Sequence, residues 1–327
     1  MTPARPTLTF FVELETPPLE ELFGRPEVLP FLAAQGCAIS MGLLDLSARR
    51  AAVVRRLESS GIPVTGWLLL DLEDGYWLNA DNADRARERW RETAAWAERE
   101  GLSLQCIGLD VEFPRSESEG AIRDRRRAFF SMLRRRRSRE RVHEAERAYG
   151  ELVHEIRQSG RTVEVYQFPH LLDERAAGST LLRRALGIVD VPVDAEVYML
   201  YASYLGSAGT RVYFADAPCI ALGVTGGGVN ANNPDARGRF LSWERLEEEL
   251  RAASAHTPDV YVFSLEGCVE QSMLTRIAEI DWSQPAPTLP PAEERRARRG
   301  RRITQWLFRA EPLIDLLIPS RASPNDS

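Results

Sequence analysis

The sequence contains no lysine, because all 42 of its basic residues are arginine. This absence excludes Schiff-base aldolases, pyridoxal phosphate enzymes anchored through lysine, and P-loop nucleotide hydrolases, since each of these needs a lysine amine. Histidine is also scarce, with four copies and no pair spaced as zinc ligands, so no zinc hydrolase is predicted. The side chains left for chemistry are carboxylates, hydroxyls and aromatic rings.

Cysteine and long apolar runs are equally sparse. The four cysteines lie far apart and beside apolar segments, which predicts buried free thiols in a reducing compartment. The first residues lack the pattern of a signal peptide, and no apolar run approaches the roughly 20 residues of a membrane span. These features predict a cytoplasmic protein. The net charge of −6 argues against a general nucleic-acid binder.

Apolar, β-branched and aromatic runs alternate with helical stretches, which indicates βα units around a parallel sheet. The predicted strands are 7–14, 38–46, 64–70, 104–114, 163–168, 196–201, either 212–214 or 219–224, and 259–265. Eight strands with helices between them predict an α/β fold, the (β/α)8 TIM barrel with a C-terminal helical tail. A doubly wound open sheet is the alternative, but no glycine-rich phosphate turn follows the first strand.

Composition divides the chain into three parts. The predicted barrel domain spans residues 1–283, a proline-rich linker follows at 284–292, and residues 293–327 form a basic and apolar helical tail. Arginines beside Trp306 and Phe308 are typical of a segment that contacts a membrane surface. We favour a terminal helix laid back on the barrel, and contact with a membrane surface is the alternative.

The strand at 104–114 is apolar on one face and acidic on the other. Because strand side chains alternate, Gly108, Asp110 and Glu112 share one face, and the apolar residues between them share the opposite face. In a barrel, this pattern predicts that the apolar face meets the helices and that both carboxylates reach the axis, with Gly108 leaving space beneath them. A solvated strand end held by arginine partners is the alternative, since ionised carboxylates are seldom buried alone.

The carboxyl ends of the other predicted strands add polar and aromatic side chains to the same mouth. Tyr201 is a catalytic candidate, and the substrate-binding candidates are Glu13, Glu15, Asp45, Gln167, His170 and Glu266. Trp67, Tyr76 and Trp77 are candidate sugar platforms, or plain packing residues of the loop after the third strand. Such a mouth suits glycoside hydrolysis without a cofactor or metal, and a Mg²⁺ or Mn²⁺ ion held by carboxylates is the alternative.

Three of these strands resemble those of chitinase-type (family eighteen) glycoside hydrolases. Ile107-Gly-Leu-Asp-Val-Glu112 resembles the end of that family's D-x-x-D-x-D-x-E motif, whose last glutamate is the general acid. Tyr198-Met-Leu-Tyr201 is similar to the family's sixth-strand M-x-Y-D, and Val262-Phe-Ser-Leu265 resembles its aromatic eighth strand. The chain departs from the family at three positions that hold Asp there and hold Gln105, Gly108 and Ala202 here.

The resemblance implies roles for three residues. Glu112 would be the general acid, and Asp110 would orient it and stabilise a substrate acetamido group with the help of Tyr201. If the reaction instead uses two enzymic carboxylates, Glu266 or Glu13 is the candidate partner. A vaguer resemblance, to bacterial proteins that combine W-L-L-L, G-Y-W and G-L-D-x-E, implies no activity. The expected substrate is a small molecule, an oligosaccharide or a glycoconjugate, and a barrel that binds carbohydrate without cleaving it is the non-enzymatic alternative.

Overall fold

Eight parallel strands close into a barrel in the computed structural model of the chain, which describes residues 5–113, 132–228 and 240–318. Each strand pairs with the next along the chain, and the eighth pairs with the first. The strands are β1 Thr7–Val12, β2 Ala38–Leu43, β3 Val64–Leu68, β4 Cys106–Asp110, β5 Thr162–Gln167, β6 Ala195–Met199, β7 Cys219–Gly223 and β8 Asp259–Phe263. The predicted barrel is confirmed and the open sheet is wrong. Of the two candidates for the seventh strand, 219–224 is the correct one.

Helices follow the strands and cover the outside of the barrel. They are α1 Thr16–Gly24, α2 Val28–Gln35, α3 Ala48–Ser59, α4 Ala83–Glu100, α5 Arg139–Gln158, α6 His170–Ala177, α7 Leu181–Leu186, α8 Ala202–Arg211, α9 Trp243–Ser254, α10 Leu265–Glu270, α11 Leu274–Ala278, α12 Pro291–Arg309 and α13 Glu311–Leu317. The hydroxyl of Ser47 accepts a hydrogen bond from the Arg50 backbone N–H and caps α3. The glycine after α4, Gly101, adopts the left-handed conformation that ends many helices.

Side chains alternate between two apolar cores because each strand has two faces. One core lies between the strands and the helices and includes Leu109 of β4 and Val12 of β1. The other fills the barrel interior with aromatic rings, among them Phe11, Trp67 and Tyr166. The ring centroids of Phe11 and Tyr166 are 4.8 Å apart in an edge-to-face arrangement. The interior is therefore a packed aromatic floor beneath the carboxyl ends of the strands.

A buried carboxyl group organises the lower half of this interior. Glu164 accepts hydrogen bonds from the hydroxyls of Tyr166 at 2.6 Å and Tyr261 at 2.7 Å. The Ser40 hydroxyl lies 2.5 Å from the same Tyr166 oxygen. These partners satisfy a group that would otherwise be costly to bury. They also fix the Tyr166 ring directly beneath Gly108, where an added Cβ would lie 2.8 Å from Tyr166 Cζ.

The last two helices lie against the side of the barrel. In α12, Arg301 Nε lies 2.7 Å from Asp173 Oδ1 of α6, and its guanidinium group stacks 4.3 Å from the Tyr213 ring centroid. In α13, the buried Glu311 accepts hydrogen bonds from the Thr180 backbone N–H and hydroxyl. Within the described ranges, no helix combines the length and apolar character that a membrane crossing requires. The division into barrel, linker and tail stays a prediction.

Candidate active site

The acidic strand delivers two carboxyl groups to the carboxyl end of the barrel. Asp110 is the last residue of β4, and Glu112 follows it at the same parity. Ile107, Leu109 and Val111 belong to the outer core, as the alternation predicts. Asp110 is buried and Glu112 is half-buried. The outer core therefore takes the apolar side chains of this strand, and the two acids lie together at its other face.

The two acids impede each other's ionisation. Burial raises the pKa of Asp110 well above its usual range, and the charges of Glu112 and Glu13 act in the same direction. Burial also raises the pKa of Glu112, again reinforced by the charge of Glu13. Close carboxylates in a poorly solvated site cannot all ionise readily. The pair therefore tends to hold a proton near neutral pH.

Tyr201 lies beside this pair, just after β6. Burial raises the pKa of its phenol, and the nearby charges of Asp110 and Glu112 raise it further. Its ring centroid is 6.0 Å from that of Phe263, at the end of β8. The three positions that carry roles in the resemblance are thus brought together from β4 and β6. The phenol stays protonated and can donate a hydrogen bond to an acid or to a ligand.

Two further glutamates face the same cluster. Glu13 follows β1, and the Tyr76 hydroxyl donates a hydrogen bond to Glu13 Oε1. The Glu13 backbone N–H donates to Glu266 Oε1 at 3.3 Å, which ties the end of β1 to α10. Burial raises the pKa of Glu266 to about 8, although backbone hydrogen bonds partly oppose this effect. Four acids from β1, β4 and α10 therefore occupy one mouth.

A run of glycines packs directly over the two glutamates. The Gly228 backbone N–H donates to Glu266 Oε1 at 3.3 Å. A Cβ on Gly227 would overlap the Glu266 carboxyl group, and one on Gly228 would overlap the Glu13 carboxyl group. Both glycines also have positive φ, which other residues rarely adopt. Sequence reasoning assigned this turn no role, although consecutive glycines after a strand signal a close approach of backbone to another group.

The loop after β3 is fixed to the end of β4. The Leu78 backbone N–H donates to the Asp110 carbonyl at 2.9 Å, and the Glu112 N–H donates to the Leu78 carbonyl at 3.1 Å. These bonds hold Tyr76 and the half-buried Trp77 near the acids, with ring centroids 5.5 Å apart. Trp67 is only 3% exposed and lies in the aromatic floor, so its ring face is not open at the mouth.

Asp45 is held away from the cluster by an ion pair. Its Oδ2 lies 3.0 Å from Nη2 of Arg50, whose side chain is completely buried, and it also accepts a 2.6 Å hydrogen bond from the Thr16 hydroxyl. Burial acts to raise the pKa of Asp45, but hydrogen bonds from Ser47, Thr16 and Arg50 outweigh it and hold the pKa well below its usual range. Asp45 is therefore a fixed carboxylate that stabilises the end of β2.

We expect Asp45→Asn to lower the free energy of unfolding by about 1–3 kcal/mol at pH 7, because the buried Arg50 loses its carboxylate partner. Because the pKa of Asp45 is lower in the folded state, its ionised carboxylate stabilises the fold above the unfolded-state pKa, and this stabilisation is lost as the pH falls. The difference in free energy of unfolding between variant and wild type should therefore shrink below about pH 4. Urea denaturation at pH 7 and below about pH 4 measures this difference. Glu20→Gln, at a half-buried carboxylate whose partner Arg49 is exposed, is the control. Normal stability with lost turnover would instead put Asp45 in the active site.

The other three candidates from the sequence also lie apart from the acids. Gln167 Nε2 donates to the Val189 carbonyl at 3.1 Å, so this side chain faces the outer layer. His170 begins α6, its ring centroid lies 6.1 Å from that of Tyr213, and burial lowers the pKa of its imidazole. Glu15 is exposed at the start of α1. Among the described residues, the cluster therefore consists of carboxyl groups and the Tyr201 phenol, and none of these three candidates adds to it.

Two oxygens of the cluster lack partners. Among the described residues, Asp110 Oδ1 and Glu266 Oε2 are buried without a hydrogen-bond donor. Buried polar atoms are normally satisfied, and unsatisfied ones are frequent where a ligand binds. No three Asp, Glu, His or Cys side chains in the described ranges converge closely enough to hold a metal ion. Each of these two oxygens therefore retains capacity for a hydrogen bond.

The raised pKa of Glu266 leads to a prediction about the stability of the protein. Because its pKa rises from 4.5 to about 8 on folding, burial of the ionised form destabilises the protein as the pH rises. We expect Glu266→Gln to match the wild type at pH 4 and to exceed its free energy of unfolding by about 2 kcal/mol at pH 9. Denaturation at the two pH values measures the difference, with the exposed Glu270→Gln as control. A variant that is less stable at pH 9 would contradict the assignment.

Comparison with known proteins finds similar structures and no related sequence. No family model and no curated protein matches the chain. It is similar to the glycoside hydrolase domain of PgaB from Bordetella bronchiseptica, at 8% identity and TM-score 0.48 over 87% of this chain and 100% of that one. It is also similar to a chitinase from Rhizomucor miehei, at 12% identity and TM-score 0.47 over 83% of this chain and 98% of that one. A sugar phosphate isomerase/epimerase from Parabacteroides distasonis is similar at 13% identity and TM-score 0.44 over 86% of this chain and 96% of that one.

Proposed function

We propose that this protein is a glycoside hydrolase-like enzyme that cleaves a carbohydrate or glycoconjugate by general-acid catalysis. The observation that carries the proposal is the pairing of Asp110 and Glu112 on one face of β4, both with a raised pKa, next to Tyr201. Glycoside hydrolysis needs a carboxylic acid that keeps its proton near neutral pH. The motif resemblance points to the same three side chains.

Glu112 is the acid in this mechanism. It is half-buried, whereas Asp110 is 3% exposed, so Glu112 is the better placed of the two to reach a bound substrate. Its proton passes to the glycosidic oxygen while the bond from that oxygen to the anomeric carbon breaks. Asp110 orients Glu112 and, together with Tyr201, holds the acetamido group of a substrate that has one. Water then adds to the anomeric carbon and gives its proton to the Glu112 carboxylate, which restores the acid and completes hydrolysis.

A second enzymic carboxylate is available if the substrate supplies no nucleophile of its own. Glu13 is the stronger candidate, because its charge acts on both Asp110 and Glu112 and therefore lies near them. The Tyr76 hydroxyl donates a hydrogen bond to Glu13 Oε1, which holds this carboxyl group in position. Glu266, whose pKa is about 8, holds its proton at neutral pH and is the weaker candidate for this role.

The sugar would bind against aromatic side chains at the mouth. Trp77, Tyr201 and Phe263 are half-buried, so each has ring surface left for a ligand. Trp67 and Phe11 form the floor below them, with centroids 5.5 Å apart. Aromatic faces combined with a few hydrogen-bonding groups suit a small-molecule or oligosaccharide substrate. We place the enzyme in the cytoplasm, where oligosaccharides, glycoconjugates and cell-wall precursors are the available classes.

Turnover of a panel of aryl glycosides, with and without EDTA, tests the proposal. Release of the aryl group that EDTA does not affect is the expected result. Turnover that EDTA abolishes would replace the proposal with a Mg²⁺- or Mn²⁺-dependent enzyme. Saturable carbohydrate binding with no turnover would show a barrel that binds sugars and lacks the reaction.

A further inference from the structure

One face of the C-terminal helices is fixed to the barrel. Arg301 and Gln305 both bond to Asp173 Oδ1, at 2.7 and 2.8 Å, and Phe308 is buried. The spacing of these positions, i, i+4 and i+7, places them on one side of α12. Side chains on the opposite side of this helix are consequently directed away from the barrel.

The outward side of α12 and α13 carries large apolar side chains. They account for five of the eight large hydrophobic residues that are exposed in the described ranges. Their exposed fractions are 59% for Ile303, 66% for Trp306, 60% for Leu313, 77% for Leu316 and 76% for Leu317. Single exposed apolar residues are ordinary, but this concentration within two consecutive helices marks an interaction surface.

Arginines extend the outward face of α12 toward its N-terminus. With the spacing i, i+4, i+7 and i+11, one stripe contains Arg295, Arg299, Arg302 and Trp306. Among the described residues, no carboxylate forms a salt bridge with these three arginines, whereas Arg298 pairs with Glu294 at 2.7 Å. The chain as a whole has a net charge of −6, so this stripe is a local concentration of unpaired positive charge.

We propose that this face, residues 295–317 of α12 and α13, binds the surface of an anionic lipid bilayer. Trp306 and the exposed leucines enter the headgroup region, and the arginines contact lipid phosphates and carboxylates. An anionic bilayer matches both the exposed apolar side chains and the arginine stripe of this face. A second copy of the chain matches it less well, because a two-fold dimer would bring two positive stripes together.

Flotation of the full chain with vesicles tests this proposal, using phosphatidylcholine with about 30% phosphatidylserine and phosphatidylcholine alone. We expect binding to the anionic vesicles only. The W306Q/L316Q variant should lower the partition coefficient at least about tenfold. The R299Q/R302Q variant should lower it about tenfold at low salt and little at about 0.5 M salt, where charge attraction is screened.

Matched variants control for each change. L72Q alters an equally exposed leucine outside the face, and R56Q/R147Q removes two exposed arginines from α3 and α5. Both should bind like the wild type, and all variants should keep the wild-type melting temperature because the altered side chains are exposed. Absent binding to anionic vesicles, or undiminished binding by W306Q/L316Q, would overturn the proposal. A dimer that W306Q/L316Q dissociates would also overturn it and assign the face to self-association.

Discussion

Glu112→Gln should lower the turnover of an aryl glycoside by about 10²–10⁴-fold while leaving the fold intact. The amide has nearly the same shape as the protonated acid and adds no charge to the site, so the melting temperature should stay close to that of the wild type. It cannot donate a proton to the leaving oxygen. The loss should therefore be largest for substrates with a poorly acidic leaving group and smaller for activated aryl groups, which depart with less assistance.

The matched control is Glu15→Gln. Glu15 also follows a strand and was a candidate from the sequence, but it is exposed and separate from the acid cluster. Its turnover should equal that of the wild type. Asp110→Asn should impair turnover as well, because Asp110 orients the acid. Near-wild-type rates in a correctly folded Glu112→Gln protein would remove Glu112 from the mechanism and leave the hydrolase proposal without its acid.

The pH dependence of turnover tests the role of Glu112 independently. A general acid works in its protonated form, so turnover should fall as the pH rises through the pKa of Glu112. The negative charge of Glu13 helps to raise that pKa, so Glu13→Gln should move the alkaline limb of the profile to lower pH. An unchanged alkaline limb in a variant that retains turnover would mean that another group supplies the proton.

The sequence predicts the barrel and the acidic strand because both depend on local patterns. Alternation within β4 is enough to set Asp110 and Glu112 opposite the apolar residues, and a closed barrel then directs them inward. The same reasoning fails for Asp45 and Gln167. Position at a strand end does not select a mouth residue unless the parity of the strand is also known.

Parity decides which side chains at a strand end reach the mouth, and β2 illustrates this. In β2, Ile39 and Met41 belong to the outer core, which leaves Ser40 directed inward and puts Asp45 on the outer parity. The local alternation of large apolar residues with Ser40 and Gly42 already indicates this parity, and the prediction for Asp45 used only its position at the strand end. Other contacts of the site join distant segments, such as Ser40 with Tyr166 and Gly227 with Glu266. These pairings arise from closure of the barrel and are not readable from one strand.

Packing explains Gly108, one of the positions at which the chain departs from the family-eighteen pattern. The sequence holds Gly108 where that family has an aspartate, and alternation predicted only that the glycine leaves space. The ring of Tyr166 occupies that space, held by Glu164 and by Ser40. An aspartate at 108 would overlap this ring. The glycine at position 108 and the buried Tyr166 ring therefore belong to one packing arrangement.

Gly108→Ala should accordingly lower the free energy of unfolding by about 3 kcal/mol, a large effect for one methyl group. The new Cβ would lie 2.8 Å from Tyr166 Cζ and 3.0 Å from Cε2, and closer still to the hydroxyl. The ring cannot retreat easily, because it packs edge-to-face on Phe11 and Trp67 and its hydroxyl is bonded to Glu164. Urea denaturation at neutral pH measures the loss.

A double-mutant cycle with Tyr166→Phe isolates this contact. Removing the hydroxyl takes away the atom nearest to the new Cβ and frees the ring from Glu164, so Gly108→Ala should cost at least about 1 kcal/mol less in the Phe background. Gly66→Ala is the control within the barrel strands, since its nearest neighbours are flexible side-chain ends at 3.3 Å or more. Equal costs of Gly108→Ala in the Tyr and Phe backgrounds would mean that the ring is not what excludes a side chain at position 108.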